Sequence, residues 1–317
     1  MMRPVSRLKF LLDRTAVLFI GLATGAVIAF SFFTPTQAGF ASRMTAPPGA
    51  PPAALRTGVT PAATPAVADQ PFGSNLQAAI SQGRTIQVGV FGDSFGDGIW
   101  AALYRQLPHE GGQFDVHQFS QRSTGFTRYR SLNVLDDIRG KIDRQPVDIA
   151  VISFGANDTQ GIYDDGHGYD YMSDGWRRVV AQRVAAVIQL LRERGAMVYW
   201  VGLPRMRSAE FDDQIQQMNA FYAQQMAALH VPFIETLPRT VDANGQYSPY
   251  LRNPETGEPT NARANDGIHM TMNGYGFLTH DMAARLRGQI AQARLAAGHA
   301  PVQNASNQNG HETRSHG

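Results

Sequence analysis

The chain has 317 residues, of which 43% are hydrophobic and 17% charged, and its formal net charge at pH 7 is +2. This composition allows one large or two small domains with a sizeable core, and so small a charge gives no reason to expect a nucleic-acid partner. Because the chain contains no cysteine, disulfides, thiolate catalysis and cysteine-ligated zinc are excluded.

The N-terminus predicts a membrane anchor. Residues 1–14 carry four arginine or lysine side chains, and residues 15–33 carry no charge. A helix of that second length rises about 28 Å, which is close to the thickness of a bilayer core. We therefore expect a cytoplasmic segment 1–14, a single-pass signal anchor 15–33 in a bacterial inner membrane, and a periplasmic remainder. A signal peptide cleaved after Ala38 or Ala41, which would leave a secreted protein, is the alternative.

The segments that flank the folded part differ from it in composition. Residues 34–75 are rich in Pro and Ala and nearly free of large apolar residues, so we interpret them as a linker. Residues 298–317 are polar and low in complexity, which predicts a disordered tail. A single folded domain is expected over residues 76–297.

Strand and helix patterns alternate along this domain. Apolar segments typical of buried strands cover residues 85–92, 114–120, 147–155, 196–204 and 231–237. Helical patterns cover residues 97–107, 175–195, 213–229 and 272–296. The alternation predicts an α/β fold, a three-layer α/β/α sandwich with a five-stranded, mainly parallel, flavodoxin-like sheet. Ligands of such sheets bind at the carboxyl ends of the strands.

The turn after the first predicted strand holds a serine in an ambiguous motif. The residues from Gly92 to Gly96 read G-D-S-F-G, which satisfies both the G-x-S-x-G nucleophile elbow and a G-D-S block. Ser94 alone has an ordinary interpretation as a helix N-cap. Partners elsewhere in the chain must decide between these interpretations.

Three further motifs fall on loops that follow strands or precede the last helix. Gly125 follows the second strand, Asn157 follows the third, and Asp266 and His269 stand just before the closing helix. The ordered set resembles the four blocks of the SGNH hydrolases, the GDSL-type esterases and lipases, over residues 85–297. Their membrane-anchored bacterial members with an extracytoplasmic domain are the most similar in architecture. An α/β-hydrolase would place its nucleophile later in the sheet and its acid well before its histidine.

The residue types predict a serine nucleophile and its base. A serine hydroxyl needs a base within hydrogen-bond reach, which His269 supplies, and Asp266 can fix the histidine tautomer. The backbone N–H of Ser94 at a helix start is one donor for an oxyanion. By the resemblance, Gly125 N–H and the Asn157 amide are the other two. We expect no metal or cofactor, and we interpret residues 162–171 as a solvated insertion beside the site.

Together these features predict an extracytoplasmic serine esterase acting on acyl, most often acetyl, esters of an envelope polysaccharide or glycan. Location and family resemblance support this substrate class. One alternative is an O-acyltransferase of the same fold that modifies an exported polysaccharide with acyl groups from a membrane partner. Another is a non-catalytic binding module. The expected partners are an acylated carbohydrate or small ester and the inner membrane, contacted through the N-terminal helix.

Overall fold

The structure is a computed structural model that describes residues 71–108 and 113–299. The predicted cytoplasmic segment 1–14 and signal anchor 15–33 lie outside the described residues, as do most of the predicted linker and tail. Within the part of the chain that the structure describes, no helix is both long enough and apolar enough to span a bilayer.

Nine strands and seven helices form the described part of the chain. The strands are β1 (Ile86–Gly92), β2 (Phe114–Gln118), β3 (Ile149–Ser153), β4 (Ile162–Asp164), β5 (His167–Tyr169), β6 (Met197–Val201), β7 (Phe233–Ile234), β8 (Tyr250–Arg252) and β9 (Pro259–Asn261). The helices are α1 (Ser74–Ser81), α2 (Ser94–Gln106), α3 (Val134–Arg144), α4 (Asp174–Glu193), α5 (Ala209–Ala228), α6 (Leu237–Thr240) and α7 (Met272–Ala296).

Five strands form one sheet in the order β2-β1-β3-β6-β7, and every pair in it is parallel. Counting only these strands, the order is the 2-1-3-4-5 of flavodoxin-like folds. The predicted fold class is therefore confirmed. In the central pair, Val90 lies opposite Val151 and Gly92 opposite Ser153, so β1 and β3 end at the same level.

Both faces of the sheet are buried, which explains the continuous apolar runs of its strands. All five residues of β3 are buried: Ile149 and Val151 face one apolar cluster, and Ala150 and Ile152 face the other. The first cluster lies against α1, α2 and α7, and the second lies against α3, α4 and α5. These two helical layers fix the sheet and leave its carboxyl edge to the loops.

The loops and ends contain elements that the sequence patterns did not predict. Helix α1 begins at Ser74, two residues before the expected domain start, and buries Leu76 and Ile80. Residues 162–171 include the antiparallel hairpin of β4 and β5. A second hairpin, β8 with β9, precedes the loop that carries Asp266 and His269.

Candidate active site

The turn between β1 and α2 presents Ser94 at the carboxyl edge of the sheet. Asp93 is the N-cap of α2 and accepts a hydrogen bond from Phe95 N at 2.9 Å, so Ser94 is the first helical residue and not the cap. A Cβ on Gly92 would lie 2.3 Å from Ser153 O, so this turn can approach β3 only with glycine there. The local sequence thereby places Ser94 directly above the two central strands.

Ser94, His269 and Asp266 form one hydrogen-bonded chain. Ser94 Oγ lies 2.8 Å from His269 Nε2, and His269 Nδ1 lies 2.7 Å from Asp266 Oδ2. The ring of Phe95 stacks on the imidazole, with centroids 5.4 Å apart. A nucleophile, a base and an orienting carboxylate are thus in the order that a serine triad requires.

The loop that carries the acid and the base is fixed by its own backbone. Asp266 Oδ1 accepts hydrogen bonds from the amides of Ile268 and His269, at 2.8 and 2.9 Å. Partial burial raises the pKa of Asp266, but the bonds from His269 and these two amides outweigh it and bring the pKa to about 2. The carboxylate is therefore ionised at every pH at which His269 could act as a base. Gly267 adopts a left-handed φ of 75°, which suits glycine in this turn.

The two other residues of the predicted site lie on neighbouring loops that are bonded to each other. Asn157 Nδ2 donates to Thr124 O at 3.0 Å and has a long contact of 3.4 Å to Asp93 Oδ2. One amide hydrogen is thus committed to the loop of Gly125, and the other is only weakly held. Among the described residues, the backbone N–H groups of Ser94 and Gly125 donate to no partner. The edge therefore has donors left for an oxyanion.

The family description "Protein of unknown function (DUF459)" matches residues 87–285, which is more than half of the chain and includes Ser94, Asp266 and His269. The chain belongs to this family. No relative among curated proteins matches it.

Several solved structures are similar to this DUF459 chain. A GDSL-like lipase from Bacteroides thetaiotaomicron is 18% identical, with a TM-score of 0.42 over 65% of this chain and 88% of its own. The acetyl xylan esterase AlAXEase is 18% identical, with a TM-score of 0.45 over 63% of this chain and 100% of its own. The carbohydrate acetylesterase Est24 from Sinorhizobium meliloti is 14% identical, with a TM-score of 0.43 over 65% and 100%.

Two aspartates that follow β1 and β3 are fully buried beneath the site of this DUF459 chain. Burial and, to a smaller extent, the charges of Asp158 and Asp97 raise the pKa of Asp93 to about 7, although the hydrogen bond from the Phe95 amide lowers it. Burial also raises the pKa of Asp158, although the amide and hydroxyl of Thr127 both donate to it at 2.8 Å. Both carboxyls hold loops in place by accepting hydrogen bonds from backbone amides.

Asp158 explains why position 125 is occupied by glycine. A Cβ at Gly125 would lie 2.4 Å from Asp158 Oδ1, so any larger residue would push the two oxyanion loops apart. Because Asp158 also binds Thr127, one carboxyl fixes the Gly125 loop against the Asn157 loop. Only the fold shows that Gly125 and Asp158 are fitted to each other.

Two arginines next to the triad loop were not predicted from the sequence. Arg207 donates to the carbonyls of Asn265 and Asp266, at 2.9 and 3.0 Å. Arg263 is 2% exposed and donates to Ile268 O at 2.9 Å. Both hold the backbone just before His269. Arginine is so common in short loops that its position in the sequence gave no indication of this role.

The insertion after Asn157 is a hairpin with a paired acidic residue. Asp164 accepts a hydrogen bond from Arg183 at 2.5 Å, and the exposed Tyr163 lies under the guanidinium of Arg130. Across residues 71–108 and 113–299, no group of three or more His, Cys, Asp or Glu side chains is arranged to hold a metal ion.

Proposed function

We propose that this protein is an exported serine esterase that hydrolyses acyl esters, most often acetyl esters, of a cell-envelope polysaccharide or glycan. The 2.8 Å contact between Ser94 Oγ and His269 Nε2, with Asp266 on the other ring nitrogen, carries the proposal. The predicted signal anchor supports the exported location. The family resemblance and that location support the substrate class.

In the first half of the reaction Ser94 is acylated. His269 Nε2 takes the hydroxyl proton as Ser94 Oγ attacks the ester carbonyl carbon, and Asp266 stabilises the imidazolium that forms. The oxyanion accepts from the backbone N–H groups of Ser94 and Gly125 and from the weakly held Asn157 amide hydrogen. The C–O bond to the alcohol then breaks, and His269 returns the proton to the leaving oxygen.

In the second half water takes the place of the alcohol. His269 removes a proton from water as the oxygen attacks the acyl carbon, and the collapse of the second tetrahedral intermediate restores the Ser94 hydroxyl. The products are one carboxylic acid and one alcohol. If a sugar hydroxyl replaced water here, the same site would be the predicted O-acyltransferase.

The nucleophile is tested by covalent labelling of the full chain. A fluorophosphonate probe should modify Ser94, and Ser94→Ala should abolish labelling because the probe needs the activated hydroxyl. Ser131→Ala, which alters an exposed serine on a neighbouring loop, is the matched control and should label normally. Labelling that survives Ser94→Ala would show that the assignment is wrong.

The reaction is tested by following the acyl group. Incubation with acetylated polysaccharide should release free acetate in proportion to the ester lost. Acetyl groups that reappear on an added glycan, with no free acetate, would replace the esterase by the acyltransferase. If no ester is hydrolysed or transferred and Ser94 is not labelled, the non-catalytic binding module is the interpretation that remains.

A further inference from the structure

An exposed guanidinium is paired with a carboxylate that lies one helical turn from the nucleophile. Ser94 and Asp97 are three residues apart in α2 and therefore lie on the same face of the helix. Arg122 Nε donates to Asp97 Oδ2 at 2.6 Å. The Arg122 side chain is 79% exposed, whereas that of Asp97 is 15% exposed. A surface cation is thus tied to a largely buried carboxylate beside the reacting hydroxyl.

The carboxylate that holds Arg122 is itself fixed. Asp97 Oδ1 accepts from Ser120 Oγ at 2.5 Å and from Gln118 Nε2 at 3.0 Å. Burial raises the pKa of Asp97, but the hydrogen bonds from Ser120, Arg122 and Gln118 outweigh it, so the pKa is lower than usual and the group stays charged. Less entropy is lost when a ligand binds a side chain that is already ordered.

Most of the hydrogen-bonding capacity of Arg122 is unused. A guanidinium has five N–H donors in a fixed plane, and among the described residues only Nε of Arg122 has a partner. The two Nη groups form the part of the fork that matches a carboxylate or phosphate. The Arg122 side chain is mostly exposed, and it follows the carboxyl end of β2, the edge at which ligands of such sheets bind.

The loops around Ser94 carry positive charge in addition to that of Arg122. Residues 120–133 contain three arginines and no Asp or Glu. On the other side of the triad, Arg207 is exposed and bonded to the Asp266 carbonyl. Two acidic side chains near the nucleophile are already engaged, Asp97 by Arg122 and Asp266 by His269. Two others, Asp93 and Asp158, are fully buried. Charges of this kind attract an anion rather than a neutral group.

We propose that Arg122 binds an anionic group, a carboxylate or phosphate, on the alcohol part of the ester substrate. This inference rests on the esterase function proposed above, with its acetyl group, which is too small to carry the charge itself. The substrate class is therefore an acyl ester of an acidic sugar or acidic small alcohol. A uronate and a phosphate offer Arg122 the same chemistry.

The test compares an anionic ester with a neutral one of the same shape. The full-length protein and its Arg122→Gln variant are assayed with 4-acetoxybenzoate and with methyl 4-acetoxybenzoate. A charge-assisted hydrogen bond predicts that Arg122→Gln lowers kcat/KM for the anionic ester about 10–100-fold more than for the neutral ester. Raising the ionic strength should weaken the wild-type preference in the same direction.

A matched control separates this effect from the general loss of a surface charge. Arg194 also pairs with an aspartate, Asp143, and is 46% exposed, but it lies at the amino edge of the sheet. Arg194→Gln should leave the ratio of the two kcat/KM values unchanged. The neutral ester reports folding within each variant, and the exposed Arg122 site should tolerate glutamine.

Each pattern of results has one meaning. If both esters are hydrolysed and Arg122→Gln affects them equally, the anion site is wrong while the esterase stands. If Arg194→Gln changes the ratio as much as Arg122→Gln does, the site is also wrong. If the wild type hydrolyses neither these esters nor acetylated glycans, the proposed function and this inference both fail. After anion binding is established, acetylated polyuronate and an acetylated sugar phosphate, each compared with its neutral analogue, identify the anion.

Discussion

Strand β3 is flanked by buried aspartates whose surroundings differ. At its amino end, Asp148 is 2% exposed and accepts two hydrogen bonds from Arg84, at 2.6 and 2.7 Å. At its carboxyl end, Asp158 and the adjacent Asp93 are fully buried and have no hydrogen-bonded cation among the described residues. Among the described residues, the same residue type thus has a hydrogen-bonded arginine at one edge of the sheet and none at the other.

The difference follows what each edge does. Asp148 ties the segment before β1 to the start of β3, since it also accepts from Gln87 N at 2.8 Å. Asp93 and Asp158 instead support loops that carry Ser94, Gly125 and Asn157. Carboxyls with perturbed pKa values are concentrated at functional sites, and burial raises the pKa of both carboxyls here.

The largest effect should come from the acid of the triad. Asp266→Asn preserves the shape of the loop but leaves His269 without an acceptor for its ring N–H, so the tautomer is wrong for accepting the Ser94 proton. We expect kcat to fall by up to about 10⁴. Thermal unfolding should change little, because Asp266 lies at the exposed carboxyl edge.

The measurement is kcat on a short-chain acetyl ester beside the melting temperature. Asn265→Ala, which alters the preceding residue but keeps the carbonyl that Arg207 binds, is a suitable control. If Asp266→Asn retained full kcat, the backbone would orient His269, and the Asp266 carboxylate at the carboxyl edge would have no part in catalysis.

The second effect is a pH dependence of stability from Asp93. Its pKa in the folded state is raised to about 7, so between pH 4 and pH 7 the folded state keeps a proton that the unfolded state has lost. Stability from this group is therefore greatest below pH 4 and declines as the pH rises to about 7. Asp93→Asn keeps a cap for Phe95 N and removes this decline, which amounts to roughly 4 kcal/mol at most.

Urea unfolding at several pH values measures this term. Relative to wild type, Asp93→Asn should become more stable as the pH rises from 4 to 7. Asp148→Asn, the equivalent change at the amino edge, should destabilise because it breaks the pair with Arg84. If the free energies of unfolding of wild type and Asp93→Asn changed in parallel over this pH range, the proposed difference between the two edges of the sheet would be wrong.

Much of the sheet and the triad could be predicted from the sequence, because both depend on local patterns. The apolar run around β3 identifies a central parallel strand, and its burial on both faces follows from the run. The motif of Asp266 and His269 is local, and its placement before α7 indicates the catalytic edge. His269 lies 175 residues after Ser94 in the chain. The order of the strands brings the two residues together, and the alternation of elements also predicts that order.

What could not be predicted depends on loops that meet only in the fold. Nothing in the sequence shows that Arg122 pairs with Asp97 rather than with solvent, since Asp97 lies in α2 and Arg122 in the loop after β2. The burial of Asp93, and hence its pKa, depends on how the helices cover the turn. Helix α3 was missed although Asn133 caps it by accepting from two amides, because its short apolar stripe is interrupted by charges.

The smallest expected effect, at the amino edge, concerns stability alone. Arg84→Ala would leave Asp148 buried with only the Gln87 amide, and breaking such a pair typically destabilises by several kcal/mol. Because Arg84 is itself 38% exposed, we expect the low end, about 3 kcal/mol, from urea unfolding. The double variant Arg84→Ala, Asp148→Asn should recover part of this, since no unpaired charge remains. Ester hydrolysis at 25 °C should be unaffected by either change. A variant that lost activity but kept its stability would mean that the amino edge, too, serves the chemistry.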